Sequence, residues 1–182
     1  MMKKHNGHHN TLYNLDSVKI QAKKFIENGA VTEDYSLNLP EAIQHLNDAL
    51  ATEIMCVLRY RHHQIIAKGI NFPQVAAEFL EHAQDEERHM MMIAERINQL
   101  GGDPDFNPMT VGIRTTTEYG SGTDLLKLIE EDLVAERIAI MVYRNLIQWF
   151  GLHDSTTRRM LEEILKDEED HADELSGLLQ TM

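Results

Sequence analysis

Glutamate and histidine residues with the spacing of a metal site occur at six positions of this 182-residue chain. They are Glu53, Glu86, His89, Glu136, Glu168 and His171. Four of the six form two Glu-x-x-His pairs, and a step of three residues brings both side chains of a pair to one face of a helix. Carboxylates and imidazoles bind divalent transition ions, and two such ions balance the charge of four glutamates. The spacing therefore predicts a site for a pair of metal ions.

The six residues interrupt the apolar stripes of the helices that carry them. Glu53, for example, lies between Leu50 and Val57 in a stripe that advances by alternating steps of three and four residues. A buried carboxylate without a partner is costly or takes up a proton. A single glutamate is explained if the true apolar stripe is displaced by one residue, because that glutamate then lies outside the core. The same displacement would have to recur on all four helices. Bound cations account for all four glutamates together.

Four long helical segments must position these residues. They are predicted at residues 40–68, 73–100, 125–150 and 154–179. Their limits are marked by prolines at the first two starts, by Thr123 or Asp124 as an N-cap of the third helix, and by glycines at the ends. At 1.5 Å per residue each helix is about 40 Å long. These lengths are typical of a helical bundle.

The links between the helices predict their connection. The first and second helices, like the third and fourth, are separated by a few residues, so each pair forms an antiparallel hairpin. Residues 101–121 separate the second helix from the third, and such a segment reaches about 65 Å, enough to recross the bundle. We therefore predict an all-α, antiparallel four-helix bundle over residues 40–182, with one long crossover between helices two and three. Residues 1–39 form an N-terminal arm with a short helix over 15–28.

Composition excludes several classes of protein. The chain has 17 Lys and Arg residues and 30 Asp and Glu residues, so its net charge is −13. A protein with this charge is not expected to coat nucleic acid with its whole surface, but it would attract metal cations. Cys56 is the only cysteine, so a disulfide-stapled secreted scaffold is excluded. No run approaches 18 apolar residues, and the first residues lack the apolar run of a signal peptide. We expect a cytoplasmic protein with no membrane partner.

Four segments that carry the six residues resemble ferritin-like proteins, and the bacterioferritins in particular. They read LNDALATEIMCVLRY, HAQDEERHMMMIAERINQLGGDP, EDLVAERIAIMVYR and LEEILKDEEDHADEL, and the resemblance covers about residues 40–180. It implies a ferritin-like bundle with inward-facing Glu and Glu-x-x-His ligands. It also implies a ferroxidase: Fe²⁺ binds as a pair, O₂ or H₂O₂ oxidises it, and Fe³⁺ moves to a mineral core inside a hollow homo-oligomeric shell.

The resemblance implies a role for each ligand. Glu53 and Glu136 are expected to bind one iron each, Glu86 and Glu168 to bridge the two, and His89 and His171 to bind one iron each through one ring nitrogen. Carboxylates that accept hydrogen bonds from the other imidazole nitrogens should orient the two rings. The candidates for this role are Asp85, Asp132 and Asp167, each of which is otherwise interpreted as a residue of a solvated helix face.

Three departures from the bacterioferritins refine this prediction. A methionine follows the second-helix Glu in haem-binding bacterioferritins, whereas Glu87 stands here, so we predict no haem. Only 11 residues follow His171, too few for the short fifth helix of 24-subunit ferritins, so a shell of 12 subunits is favoured over one of 24. The arm and the long crossover resemble the DNA-protecting mini-ferritins (Dps family). Those proteins usually build the iron site between subunits, whereas all six ligands are present in this chain.

Other residues near the predicted site have two interpretations each. Tyr60 follows Glu53 by seven residues, so it could donate an electron or a hydrogen bond near the irons, or fill the core. Tyr143 follows Glu136 by the same step and is interpreted as a core tyrosine. His82, four residues before Glu86, could be an additional iron ligand or a core histidine. The remaining histidines of the first bundle helix are expected on an outer face or between subunits; they are His45, His62 and His63.

Three functions fit these observations. The first is ferroxidase activity with iron storage. The second is a di-metal peroxidase or catalase without storage, although a single cysteine excludes the rubredoxin domain of rubrerythrin-like enzymes. The third is DNA protection through the arm, because residues 1–30 carry a net charge of +3. Binding of DNA by so few lysines would need many subunits and would weaken with salt.

Overall fold

The computed structural model describes residues 12–69, 72–120 and 122–182, and every regular element within them is helical. The helices are α1 (Leu15–Lys24), α2 (Leu39–Gly69), α3 (Pro73–Gln99), α4 (Pro108–Arg114), α5 (Leu125–Phe150) and α6 (Ser155–Thr181), with a 3-10 turn at Ile26–Asn28. The predicted all-α fold class is therefore confirmed. None of the helices in this part of the chain combines the length and the hydrophobicity of a membrane span.

The chain divides into two units, Met1–Tyr35 and Ser36–Met182. In the first unit, the side chain of Asn14 caps α1 by accepting hydrogen bonds from two backbone amides, and no residue of α1 is buried. The short helix was predicted over 15–28, but α1 ends at Lys24, and the chain continues as a separate 3-10 turn. Lys3 and Lys4, which contribute to the basic charge of the arm, lie outside the described residues.

Side-chain caps start the long helices close to the predicted positions. Asn38 accepts a hydrogen bond from the backbone N–H of Glu41 at the start of α2. Asp124, rather than Thr123, caps α5. Asp154 caps α6 by accepting from the backbone N–H of Thr157. These caps satisfy N–H groups that have no partner within their own helix.

The second unit is built from two helical hairpins. Helix α2 packs mainly on α3, and α5 packs mainly on α6, while further contacts between α2 and α5 and between α3 and α6 join the hairpins. The apolar core between the helices is fully buried; among its largest members are Leu46, Leu50, Phe79, Ile93, Ile97, Leu128, Ile129 and Leu161. The hairpin pairing that the link lengths predicted is thus present in the bundle.

The crossover between α3 and α5 contains a helix that the sequence analysis missed. Asn107 caps α4 with its side chain, and Pro108 occupies the first helical position. This is the same cap-and-proline pattern that marks helix starts elsewhere. Helix α4 packs on α2, and Arg114 at its end donates a hydrogen bond to the backbone carbonyl of Asn47. At the start of the crossover a Cβ on Gly102 would lie 2.7 Å from the Ile43 side chain, so this close approach requires glycine.

Candidate metal centre

The four long helices each contribute to one buried pocket. Its members are Glu53 from α2, Glu86 and His89 from α3, Glu136 from α5, and Glu168 and His171 from α6. None of the six is more than 3% exposed. The structure therefore brings together all six residues that the spacing singled out, in the interior of the bundle and away from its ends.

The six residues form two overlapping sets of potential ligands. One set is Glu53, Glu86, His89 and Glu168, and the other is Glu86, Glu136, Glu168 and His171. Within each set, one ligand atom of every residue lies within 4.8 Å of those of the others. The two sets share Glu86 and Glu168, so these carboxylates are positioned to span two ions. Each ion would then have one imidazole and one carboxylate of its own.

Both imidazoles direct Nδ1 at the carboxylates of the pocket. Nδ1 of His89 lies 3.2 Å from an oxygen of Glu168 and 3.7 Å from oxygens of Glu53 and Glu86. Nδ1 of His171 lies 3.6 Å from Glu86 and 4.0 Å from Glu136. At these separations the nitrogen and oxygen atoms are not hydrogen-bonded to one another. Instead, the atoms of each ligand set surround a common point.

Most of the inward-facing atoms have no hydrogen-bond partner in the part of the chain that the structure describes. They are Glu53 Oε2, both carboxylate oxygens of Glu86, Glu136 Oε2, Glu168 Oε1, His89 Nδ1 and His171 Nδ1. Leaving such an atom buried and unsatisfied costs about 1–3 kcal/mol, and native proteins rarely do so without a reason. Carboxylate oxygens and imidazole nitrogens are ligand atoms that suit first-row divalent ions. This set of ligand atoms thus fits a pair of such cations.

Burial and mutual repulsion perturb the ionisation of the pocket. Burial, together with the charge of Glu86, raises the pKa of Glu53 to about 8. Burial and the charges of Glu86 and Glu136 also raise the pKa of Glu168. Burial lowers the pKa of His171, but the nearby carboxylates of Glu86 and Glu136 outweigh this and raise it to about 9. Without a cation, protons must therefore compensate the crowded carboxylates.

Two aspartates hold the outer nitrogens of the imidazoles in a crossed arrangement. Nε2 of His89 on α3 lies 3.3 Å from Asp167 on α6, and Nε2 of His171 on α6 lies 3.5 Å from Asp85 on α3. Arg88 donates to both aspartates at 2.9 and 2.8 Å. Two of the three predicted candidates thus contact the rings. Such partners fix the ring orientation and leave Nδ1 directed inward.

The third candidate, Asp132, has a different role. It accepts a hydrogen bond from Arg59 and lies 2.8 Å from Nδ1 of His63, and all three side chains are buried. Arg59 also donates to Thr117 and to the backbone carbonyl of Glu118 in the crossover. The expectation of an outer position for His63 is therefore wrong. A buried ion-paired network that joins α2, α5 and the crossover was not visible in the sequence.

The two tyrosines pair with the carboxylates of the opposite half. The hydroxyl of Tyr60 donates to Glu136, and the hydroxyl of Tyr143 donates to Glu53. Both rings are buried, and burial together with the adjacent carboxylate raises the pKa of each phenol. The seven-residue spacing related each tyrosine to the glutamate on its own helix. The actual partner lies across the bundle, and Tyr143 is a hydrogen-bond donor as well as a core residue.

The matching family model is that of the ferritin-like domain, over residues 43–182. Among the relatives, a bacterioferritin of Mycobacterium avium is 29% identical over 144 residues, covering 79% of this chain and 86% of the relative. A nutrient stress-induced DNA-binding protein of Nostoc sp. is 30% identical over 149 residues, covering 80% of each protein. Both alignments extend over most of the two proteins.

Solved structures agree with this assignment. The dodecameric thioferritin of Bacteroides fragilis, a bacterioferritin-related protein, matches with a TM-score of 0.76 and 29% identity, over 91% of this chain and 93% of that one. The bacterioferritin of Rhodobacter capsulatus shares the fold, with a TM-score of 0.71 and 24% identity over 78% of this chain and 85% of that one. With its bundle and the family match over most of its length, this chain belongs to the ferritin-like domain family.

Proposed function

We propose that this protein is a ferroxidase that stores and detoxifies iron. It binds two Fe²⁺ in a site formed within one subunit, oxidises them with O₂ or H₂O₂, and deposits Fe³⁺ inside an oligomeric shell. The observation that carries the proposal is the pair of overlapping ligand sets, since most of their inward atoms are buried and lack hydrogen-bond partners among the described residues. Relatives named bacterioferritin support the choice of iron.

The ligand charges explain how such a site would take up Fe²⁺ and release Fe³⁺. Four glutamates supply a charge of −4, which two Fe²⁺ balance, so the loaded pocket is neutral and tolerates burial. Oxidation of both ions releases two electrons, which with two protons reduce one H₂O₂ to two H₂O. The charge of the pair then exceeds that of the carboxylates, and this favours departure of Fe³⁺ with hydroxide or oxide towards the mineral.

The surrounding residues would keep the ligands in position during this change. Tyr60 and Tyr143 hold Glu136 and Glu53 through their hydroxyl groups. Asp85 and Asp167 orient the two imidazoles. Since both oxygens of Glu86 and Oε1 of Glu168 have no hydrogen-bond partner among the described residues, these carboxylates are free to shift between the two ions. We propose Tyr60 as a further electron donor to the site.

The shell that we propose is a dodecamer without haem. A dodecameric relative of 29% identity supports the subunit number. The position that would supply a haem-binding methionine is occupied by Glu87, which is exposed and pairs with Arg61 at 3.4 Å. Twelve copies of the 20.9 kDa chain have a mass of about 250 kDa, and 24 copies would have about 500 kDa. The mass of the particle in solution decides between them.

Iron loading tests the proposed function against a di-metal peroxidase or catalase. The protein is loaded with Fe²⁺ without oxygen and then exposed to O₂ or H₂O₂ while iron and protein are quantified in the soluble particle. Storage predicts many irons per subunit, whereas an enzyme without storage saturates at two. Glu86→Gln or His171→Gln should slow oxidation at least about tenfold with assembly intact. Unchanged oxidation in both variants, with Glu95→Gln as the exposed control, would refute the site.

DNA binding by the arm is a separate alternative. Helix α1 exposes Lys19, Lys23 and Lys24, and a relative of 30% identity is named a DNA-binding protein. Retarded plasmid mobility at low salt that is lost when residues 1–24 are deleted would support it. Plasmid mobility that the protein leaves unchanged at low salt would exclude it, and the proposed iron site does not depend on the result.

A further inference from the structure

Arg88 contacts both of the aspartates that orient the imidazoles of the pocket. Its Nη2 donates to Oδ1 of Asp85 at 2.9 Å and to Oδ2 of Asp167 at 2.8 Å, so a single nitrogen makes both contacts. Its Nη1 lies 3.8 Å from Sδ of Met92, one helical turn further along α3. An arginine side chain does not lose its proton in proteins. The guanidinium is therefore a permanent cation held between two carboxylates.

The contacts of Arg88 connect the two imidazoles to each other. Oδ2 of Asp167, which accepts from Arg88, also lies 3.3 Å from Nε2 of His89. Oδ2 of Asp85 lies 3.5 Å from Nε2 of His171. Asp85 belongs to α3 and Asp167 to α6, so each aspartate contacts the imidazole of the opposite helix. A continuous series of side-chain contacts thus leads from one imidazole to the other, with Arg88 at its middle.

The alignment of α3 with α6 matters to both halves of the proposed iron site. Each ligand set takes residues from both helical hairpins, since Glu86 of α3 and Glu168 of α6 belong to both sets. The packing of α3 on α6 is much less extensive than the packing within either hairpin. Side-chain contacts between these two helices are therefore needed to hold the ligands of the two hairpins in register.

No other cation in the described part of the chain pairs with both aspartates. Lys166 lies 3.4 Å from Asp167, but it pairs more closely with Asp170, at 2.6 Å. The side chain of Arg88 is 42% exposed, and those of Asp85 and Asp167 are 34% and 20% exposed. Ion pairs that reach solvent contribute little to the stability of a fold. The position of Arg88 is therefore explained by the groups that it holds rather than by the stability of the bundle.

We propose that Arg88 is a positioning residue that acts on both metal positions at once, through Asp85 and Asp167. The inference rests on the proposed function, because it assumes that the two imidazoles bind the metal ions. By holding both aspartates, the guanidinium keeps Nε2 of each ring engaged and Nδ1 directed at the carboxylates. An aspartate released from Arg88 would be free to rotate towards solvent, and the imidazole that it contacts would lose its fixed orientation.

Zn²⁺ binding measures this effect, because Zn²⁺ takes the same ligand atoms and is not oxidised. Crystals equilibrated at a series of Zn²⁺ concentrations and measured at the zinc absorption edge give the half-saturation concentration of each position. Arg88→Gln should raise this concentration about tenfold at both positions, the lower end of the range for residues that orient a metal ligand. Asp85→Ala should raise it only at the position of His171, and Asp167→Ala only at that of His89.

Two further variants separate positioning from a general loss of structure. Arg88→Lys should bind Zn²⁺ within about threefold of the wild type, since one nitrogen makes both contacts and a lysine Nζ has three protons to donate. The matched control Arg144→Gln removes another exposed arginine, which pairs with Glu169 of α6 at 2.6 Å, and should leave both positions unchanged. Metal-free Arg88→Gln should unfold within about 4 °C of the wild type.

The inference is wrong if Arg88→Gln leaves either position unchanged, if Arg144→Gln weakens both positions equally, or if Arg88→Lys binds as weakly as Arg88→Gln. A larger fall in the metal-free unfolding midpoint of Arg88→Gln would make Arg88 a residue of the fold and would also overturn the inference. Zinc at both positions of the wild type, with equal affinity in Arg88→Gln, would overturn the inference alone. Wild-type crystals with no zinc between the six ligands would contradict the proposed iron site and the inference with it.

Discussion

Replacing Glu53 with Gln should stabilise the metal-free protein, although it removes a proposed ligand. Burial and the charge of Glu86 raise the pKa of Glu53 from 4.5 to about 8. Each pKa step corresponds to about 1.36 kcal/mol, so above pH 8 the ionised carboxylate destabilises the folded state by about 5 kcal/mol. Below pH 4.5 the carboxyl is protonated in both the folded and unfolded states, and the penalty vanishes. It grows as the pH rises from 4.5 to 8.

The expected gain is smaller than the full penalty. Glutamine keeps an oxygen that can accept the hydrogen bond of Tyr143, but its amide group has no prepared acceptor, so we expect about 2–4 kcal/mol at pH 8. For a domain of this size that raises the unfolding midpoint by about 5–10 °C. At pH 5 the gain should fall below about 2 °C, because little of the wild-type penalty remains there.

Thermal unfolding with and without Zn²⁺ measures this effect. A cation present at about 1,000 times its dissociation constant stabilises the folded state by about 4 kcal/mol per site. Because Glu53→Gln lacks one ligand, it should gain less than the wild type, and the order of the two midpoints should reverse. The exposed control Glu95→Gln should stay within about 0.5 kcal/mol of the wild type. A midpoint for metal-free Glu53→Gln that is equal to or below that of the wild type at pH 8 would refute the electrostatic reasoning.

Two further substitutions test the contacts around the pocket and the fold. Tyr143→Phe removes the hydrogen bond to Glu53, so we expect a loss of about 1–2 kcal/mol in unfolding and an oxidation rate, measured by stopped flow, that falls less than in Glu86→Gln. Asp154→Asn weakens a buried pair in which Arg96 donates to both carboxylate oxygens at 3.0 Å, and calorimetry should show a loss of about 3 kcal/mol. Burial opposes ionisation of Asp154, but hydrogen bonds from Thr157 and Arg96 outweigh it and keep its pKa below 3.8. The wild type should therefore be more stable to unfolding than the variant above pH 3.8, and this difference should disappear as the pH falls through the lowered pKa.

The sequence predicted the elements of the fold closely because their signals are local. Apolar stripes, caps such as Asp124 and Asp154, and the lengths of the links all act over a few residues, and the long helices begin and end within about two residues of the predicted positions. Helix α4 was missed although Asn107 and Pro108 carry the same kind of local signal. The length of a link predicts that it can recross the bundle but carries no information on helices within it.

Partners across the bundle could not be predicted in the same way. A heptad step relates Tyr60 to Glu53 on one helix, but its hydroxyl reaches Glu136 on another, and only the packing of the hairpins determines that contact. The position of His82 four residues before Glu86 indicated a place near the site, but its contact with Glu174 on α6 depends on the packing of the two helices and was not predictable. The six ligands were recognised because each interrupts an apolar stripe, and their binding of iron remains a prediction.

Diffraction at the iron absorption edge, from crystals loaded with Fe²⁺ without oxygen, is the most direct test of the central claim. We predict two peaks inside each subunit. One should lie among the carboxylates of Glu53, Glu86 and Glu168 and the imidazole of His89. The other should lie among those of Glu86, Glu136 and Glu168 and the imidazole of His171. Iron bound only at the protein surface, with no peak between these six side chains, would contradict the claim that they form a di-iron ferroxidase site.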